Sequence, residues 1–376
     1  MQVGAQYSDL LRTPAFLVNL DRVKNNAQKI ANFAQQCGLK LRPHVKTHKT
    51  WEIAQLQCRY GATGITVSTL AEAHYFASHG FKDILYAVPL SPDKITESLR
   101  LAERITFSVI TDHEQVITAL IDRCRKSPTP VGVYLKINAG AQRAGVEPED
   151  PRIPYWAEQL HLAPGVDFKG ILTHAGQSYL STHVDVGEVA LQEAAILRKV
   201  ANRIEGHGIP CPERSLGSTP VTSVPPSSRG YDGITEMRPG NYIFYDRYML
   251  ACGHCTLDEI ACSVLTRVIG VYPHRKHLLI DAGALALSKD HGPLHLRDFE
   301  GGYGLILDHP GWKLAGLSQE HGRIEIEDAS EANLIKPGDF LEIVPNHSCL
   351  TAALFPEYRT TEQGQLVGSL NPVRGW

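Results

Sequence analysis

A chain of 376 residues, 43% of them hydrophobic and with a net charge of −3, has the composition of a globular protein with a large core. Its length exceeds the ~100–200 residues of a typical domain. There is no basic block to track a nucleic-acid backbone and no apolar run near the ~18–20 residues of a membrane span, so neither nucleic acid nor membrane is an expected partner. Residues 1–12 lack the cationic start and apolar core of an export signal. The eight cysteines are scattered rather than framed as pairs, which points to reduced thiols and a cytoplasmic protein.

In chain order, Thr13-Pro14-Ala15-Phe16-Leu17-Val18 is β-like. A helical stretch follows over residues 21–37 and stops at Gly38. Residues 41–46 read as a strand, because Leu39, Leu41, Pro43 and Val45 alternate with Lys40, Arg42, His44 and Lys46. A second helix is expected at 50–59. A strand with helices on both sides is the pattern of a buried parallel strand. The cationic face would then point inward, and a desolvated Lys46 would be a free-amine nucleophile of the kind that forms imines.

The strand-then-helix pattern continues. Further strands are expected at 64–68, 84–88, 106–110, 132–137, 168–174, 214–217 and 236–244, with helices at 69–80, 91–102, 112–125, 154–162 and 184–208. Eight strands alternating with helices predict a (β/α)8 TIM-type barrel over residues 21–250, an open doubly wound sheet being the alternative. Such barrels carry their chemistry at the C-terminal strand ends. Those ends read Lys46-Thr47, Ser68-Thr69, Asn138 with Arg143 beyond it, His174, and Ser218-Thr219. A lysine, an arginine and a histidine at such ends exceed what ordinary loop polarity supplies.

After residue 255 the helical period fades. Short β-like runs at 261–272, 277–281, 323–327, 340–345 and 365–370, separated by turns such as Lys336-Pro337-Gly338-Asp339, predict an all-β domain of residues 251–376. Residues 1–20 would add a strand to it. Three motifs in the chain are weak. Cys252-Gly253-His254-Cys255 lacks the strand and helix of a thioredoxin-like unit. Asn346-His347-Ser348 is a glycosylation sequon in a chain with no export signal. Gly301-Gly302-Tyr303-Gly304 has no helix after it.

Gly217-Ser218-Thr219-Pro220 and Pro239-Gly240-Asn241-Tyr242 fall after the seventh strand and in the eighth, where barrels often bind phosphate. Small residues there admit backbone amides, and the hydroxyls donate. A phosphate site facing an interior lysine suggests pyridoxal 5′-phosphate, held by its aldehyde on Lys46.

The residues Thr13-Pro14, Arg42-Pro43-His44-Val45-Lys46-Thr47-His48-Lys49, Val67-Ser68-Thr69-Leu70-Ala71-Glu72-Ala73, Arg143-Ala144-Gly145-Val146, Gly217-Ser218-Thr219-Pro220 and Arg238-Pro239-Gly240-Asn241-Tyr242 together resemble the alanine-racemase-type, fold type III pyridoxal-phosphate enzymes. Within them the chain is most similar to the metal-dependent D-serine dehydratases of the eukaryotic type, down to the terminal Pro372-Val373-Arg374-Gly375-Trp376. The lysine octapeptide is the most specific piece. The resemblance implies that Lys46 is the Schiff-base lysine and the base for the α-proton. It implies Arg143 near the cofactor's phenolic oxygen, and His174 stacked on the pyridine ring. Gln177 and Tyr179 would lie beside the ring or substrate, and Thr219, Gly240 and Asn241 at the phosphate. Arg238 would face the pyridine nitrogen.

His347-Ser348-Cys349 alone is poor evidence for a metal, since structural zinc sites want four protein ligands. The resemblance changes this, because the metal-dependent branch carries a His-x-Cys or His-x-Asp pair here. Alternation along a strand would put His347 and Cys349 on one face, and a thiolate favours zinc over magnesium or manganese. The implied reaction is dehydration of D-serine to pyruvate and ammonia, with zinc on the leaving hydroxyl. Rivals are a D-threonine aldolase, a D-threo-3-hydroxyaspartate dehydratase and a non-catalytic pyridoxal-phosphate carrier. The partner is a small D-amino acid, and relatives of this kind pair as homodimers.

Overall fold

The computed structural model describes residues 11–182, 185–224 and 230–376. The chain forms two compact units: Gln28–Gly240 with Val373–Trp376, and the residues up to Ala27 with Asn241–Pro372.

The first unit is built on an eight-stranded, all-parallel sheet. Counting an earlier strand of the other unit, β1 (Ala15–Asn19), its strands are β2 (Lys40–Leu41), β3 (Ile65–Val67), β4 (Asp83–Pro89), β5 (Thr106–Thr111), β6 (Val131–Lys136), β7 (Val166–Leu172), β8 (Glu213–Leu216) and β9 (Glu236–Met237). The order β2-β9-β8-β7-β6-β5-β4-β3 is closed by the parallel bridges Leu41↔Ala62 and His44↔Thr66, so the sheet is a TIM-type barrel. Strands buried on both faces need continuous apolar runs, and every residue of β6 is buried. The longest helix, Val186–Gly206, buries Val186, Ala190, Glu193, Ala194, Leu197, Val200, Ala201 and Ile204, the spacing of one helix face. The expected helix at 184–208 agrees, though its first residue, Val184, lies outside the described residues.

Two expected strands end early, both at the site. Pairing of the first continues through Arg42 N–H to Met237 O (3.0 Å) and His44 N–H to Pro239 O (2.9 Å), and then the chain turns. Lys46 therefore lies on a 3₁₀ turn, Val45–Thr47, and not on a strand. His44 caps that turn: its Nδ1 accepts from Lys46 N–H at 3.4 Å. The eighth strand, expected to reach residue 244, stops at Met237. Pro239 has no N–H to give a ladder, and at Asn241–Ile243 the chain takes a 3₁₀ turn.

The second unit has a nine-stranded sheet. Its strands after β1 are β10 (Cys262–Tyr272), β11 (His277–Ile280), β12 (Gly304–Ile306), β13 (Lys313–Leu317), β14 (Gly322–Glu325), β15 (Phe340–Pro345), β16 (Tyr358–Glu362) and β17 (Gln365–Leu370). β1 lies between β10, to which it is antiparallel, and β16, to which it is parallel. An aromatic cluster sits behind it, with Phe16 at 4.9 Å from Tyr358 and 5.6 Å from Phe355, centroid to centroid. The unit is mostly β: the short helices Arg247–Ala251, Ala284–Leu287 and Ser348–Leu354 interrupt it. Among the described residues no helix is long and apolar enough to cross a membrane, and none of the eight cysteines is in a disulfide.

Candidate active site

Lys46 is half-buried on its one-turn helix. Above it in sequence, His44 holds the turn through Nδ1 and stands 3.4 Å from Ser68 Oγ through Nε2. Burial first, then the neighbouring Lys46, His174 and Arg238, hold the His44 ring well below its ordinary pKa. The same forces act on His174, where burial comes first and Lys46, Arg143 and Lys136 add to it. The amine of Lys46 thus lies among two imidazoles that stay neutral. Behind the turn, Lys49 takes the left-handed conformation (φ 54°) and its Nζ is 2.8 Å from the buried carboxylate of Glu72. The other Glu72 oxygen accepts from Ser68 N–H at 2.8 Å.

His174 follows β7, with Nδ1 3.3 Å from Gly217 O, and Tyr179 is its aromatic neighbour at 6.2 Å between ring centroids. Gln177 donates to Ala139 O, and its Oε1 is buried without a partner. Ser178 and Ser218 share a hydroxyl bond of 2.7 Å, which ties the loop after β7 to the loop after β8. Thr219 is 1% exposed and starts the 3₁₀ turn Pro220–Ser223. Gly240 packs so closely on His44 that a Cβ there would lie 2.9 Å from the His44 carbonyl oxygen. Arg143 is exposed, on the loop after β6, and is felt electrostatically by both His174 and Lys136.

Beneath these groups runs a buried polar chain. Asp83 takes Arg42 in a bidentate pair (2.7 and 2.9 Å), Arg42 Nε donates to Glu236 (2.6 Å), and Glu236 accepts from Ser215 Oγ (2.6 Å). Arg238 donates to Ser215 Oγ and to Thr173 O. It is locked from two sides before any ligand arrives.

Two residues of this chain escape sequence reasoning. Glu193, on the long helix, is 1% exposed. One of its oxygens accepts from Thr173 Oγ1 (2.8 Å), Ala175 N–H (3.0 Å) and Gly217 N–H (3.5 Å), joining the ends of β7 and β8. Burial pushes its pKa up despite those bonds. Lys136, the last residue of β6, is 5% exposed, and burial with Arg238 and Arg143 brings it down to about 8. A charged residue in the middle of a helix's apolar face, or closing an apolar strand, is the signal that marks both.

In the second unit, Asn241 begins the longer segment, and His347 and Cys349 lie farther on. His347 caps the helix Ser348–Leu354 and Cys349 is in its first turn. They are neighbours through a helix start and not through strand alternation. Asp290 stands 3.5 Å from His347 Nδ1. Burial lowers the His347 pKa, but its bonds to Asp290 and Cys349 outweigh this and raise it well above the usual range. Among the described residues no three His, Cys, Asp or Glu side chains gather as a metal cluster. An imidazole and a thiol joined by a hydrogen bond, the ring oriented by a carboxylate, still form a donor set suited to a borderline-soft ion with open positions. Asn241 sends its amide to Asp246 Oδ2 (2.6 Å) and Ser348 Oγ (3.0 Å), and its own Oδ1 is buried without a partner. The sequon at Asn346 is closed, because this residue is fully buried and its amide donates to Asp290 O and Gly302 O, both at 2.8 Å.

The barrel residues fit a phosphorylated pyridine aldehyde. They offer one half-buried amine, flat neutral rings beside it, a hydroxyl-bearing loop after β8, and an orphaned Gln177 Oε1.

Comparison with known proteins agrees. The family model "Alanine racemase, N-terminal domain" matches residues 18–247, and "Putative serine dehydratase domain" matches residues 261–361. The D-serine dehydratase of Dictyostelium discoideum is 35% identical over 97% of this chain and 98% of that protein. The D-threo-3-hydroxyaspartate dehydratase of Delftia sp. (strain HT23) is 37% identical over 97% of this chain and 98% of its own length. The structure of a cysteine-to-alanine mutant of a D-threo-3-hydroxyaspartate dehydratase, in its metal-free form, superposes with a TM-score of 0.92 at 35% identity, covering 98% of this chain and 99% of that one. The chain belongs to the alanine-racemase-like, fold type III pyridoxal-phosphate enzymes, in the branch of the D-serine dehydratases and their hydroxyaspartate-dehydrating relatives.

Proposed function

We propose that this protein dehydrates D-serine to pyruvate and ammonia, using pyridoxal 5′-phosphate and zinc. The observation that carries the reading is the hydrogen-bonded pair His347 and Cys349, oriented by Asp290, inside the segment that matches a serine dehydratase domain. Lys46, Arg143, His174, Gln177, Tyr179, Thr219, Arg238, Gly240 and Asn241 are the residues assigned to the cofactor, and His347 and Cys349 those assigned to the ion. When bound, the cofactor supplies an electron sink for the α-carbanion and the ion a Lewis acid for the departing hydroxyl.

The chain's own residues then have separate tasks. Lys46 takes the α-proton, since it is the half-buried amine on the turn capped by His44. His44 and His174 stay neutral, so they do not compete for that proton or repel the amine. Arg238, held by Ser215 and Thr173, would present a fixed positive charge to the ring nitrogen of the bound cofactor. Loss of the α-proton and of the β-hydroxyl leaves an enamine of the substrate, which hydrolyses to pyruvate and ammonia.

A second reading, dehydration of D-threo-3-hydroxyaspartate, is favoured by the 37% identity to the Delftia enzyme. It adds one demand, a cation for the second carboxylate. We further assign the protein to the cytoplasm and to a homodimer.

The test is product analysis with purified holoprotein. Pyruvate from D-serine with a kcat/KM above that for D-threo-3-hydroxyaspartate is expected. Oxaloacetate as the dominant product selects the second reading, and glycine plus an aldehyde from D-threonine would overturn both in favour of an aldolase.

A further inference from the structure

The loop bearing His347 and Cys349 does not hold its own shape. Its neighbours are three consecutive residues far away in sequence, Asp246, Arg247 and Tyr248, at the start of the short helix Arg247–Ala251. Tyr248 N–H donates to Asn346 O at 3.1 Å, and Arg247 donates to Asn346 Oδ1 at 3.3 Å. Asp246 does the most. It is 1% exposed. Its Oδ1 caps its own helix by accepting from Met249 N–H at 3.0 Å. Its Oδ2 accepts from Ser348 N–H (2.9 Å), Ser348 Oγ (3.1 Å) and Asn241 Nδ2 (2.6 Å).

Ser348 is the residue between His347 and Cys349, and it is the first residue of the helix Ser348–Leu354. Its N–H is one of the helix's unpaired donors. By taking that N–H, Asp246 does for this helix what the cap residue does not, because His347 makes no side-chain cap bond. The His347 side chain is thus released from capping while the backbone on which it stands stays fixed.

We propose that Asp246 is the positioning residue of the metal site: it sets the helix start that presents His347 and Cys349 to one ion. The inference rests on the reading of those two side chains as metal ligands and goes beyond it by placing the control of their geometry on a carboxylate bonded to Ser348, the residue between them. A buried carboxylate whose two oxygens accept four hydrogen bonds is held in one orientation, which is what such a role requires. Losing an outer partner of this kind typically weakens metal binding by about 10–100-fold.

The experiment uses full-length protein stripped by chelator, with zinc then titrated against a chromophoric competitor. D246N keeps the shape but turns an amide toward the donors of Ser348 and Asn241. S348P removes the N–H and the hydroxyl at the first helical position, where proline is well tolerated. S348A keeps the N–H. The expected result is a zinc affinity about 10–100-fold weaker for D246N and S348P, and a change of less than about threefold for S348A. Melting of the zinc-free proteins serves as the second readout. A merely structural role would lower the melting temperature without a selective loss of zinc. If D246N does not fold, S348P decides alone. Parental affinity in both variants, with one zinc still bound per parent chain, overturns the proposal. Zinc binding that survives H347A, or that is absent from the parent, is a different failure: it removes the metal reading itself, and this proposal with it.

Discussion

His48 sits two residues past the candidate Schiff-base lysine and shows how strongly this segment is desolvated. It is fully buried. Its Nδ1 accepts from Thr50 N–H at 3.2 Å, which puts the ring proton on Nε2, 3.2 Å from Gln57 Oε1. Burial brings its pKa from 6.5 down to about 3. Below pH 6.5 the unfolded chain binds a proton that the folded chain refuses, so stability is lost as pH falls from there toward 3. The slope is about 1.4 kcal/mol per pH unit for one such group. Urea midpoints measured at pH 7 and pH 5 are expected to drop accordingly, and His48→Gln is expected to flatten part of that dependence. Equal slopes in the two proteins would remove His48 as the cause.

The turn Val45–Thr47 is the element on which the cofactor chemistry would rest, and it is secured from outside its own sequence. Lys49, in the left-handed conformation, is held through its side chain by Glu72 and through its carbonyl by Val373 N–H at 2.8 Å. The terminal segment therefore belongs structurally to the barrel unit. V373P deletes that N–H, while V373A keeps it. Loss of one such bond costs about 0.5–1.5 kcal/mol, and we expect pyridoxal phosphate to bind V373P several-fold more weakly, read from the visible imine band, with V373A unchanged. Much at this scale was legible in sequence. The eight strands and their intervening helices follow from period and punctuation. Where strands end did not follow: the expected runs at 41–46 and 236–244 have the right alternation, but Pro43, Pro239 and the close contact of Gly240 with His44 convert their ends into turns. The strands β12, β13 and β16 were missed because short, glycine-flanked or doubly buried runs such as Thr360-Thr361 break the alternating pattern.

At the scale of the whole chain, Lys46 and the other barrel candidates lie in one compact unit, and Asn241, His347 and Cys349 in the other. Cys349→Ala is expected to abolish turnover of D-serine while the imine absorbance on Lys46 remains, and chelation of the parent protein should do the same, reversed by added zinc. Full activity in Cys349→Ala would contradict the zinc mechanism. The motifs around Lys46, His174, Arg238 and His347 were visible as short local strings, because spacing and residue type along the chain are enough to recognise them. The partners that tune them were not. Glu193, Lys136 and Asp246 carry no motif. Their importance comes from burial and from partners that lie far off in sequence, and only the folded chain brings a carboxylate on one helix to the strand ends of a barrel, or to the first turn of another helix.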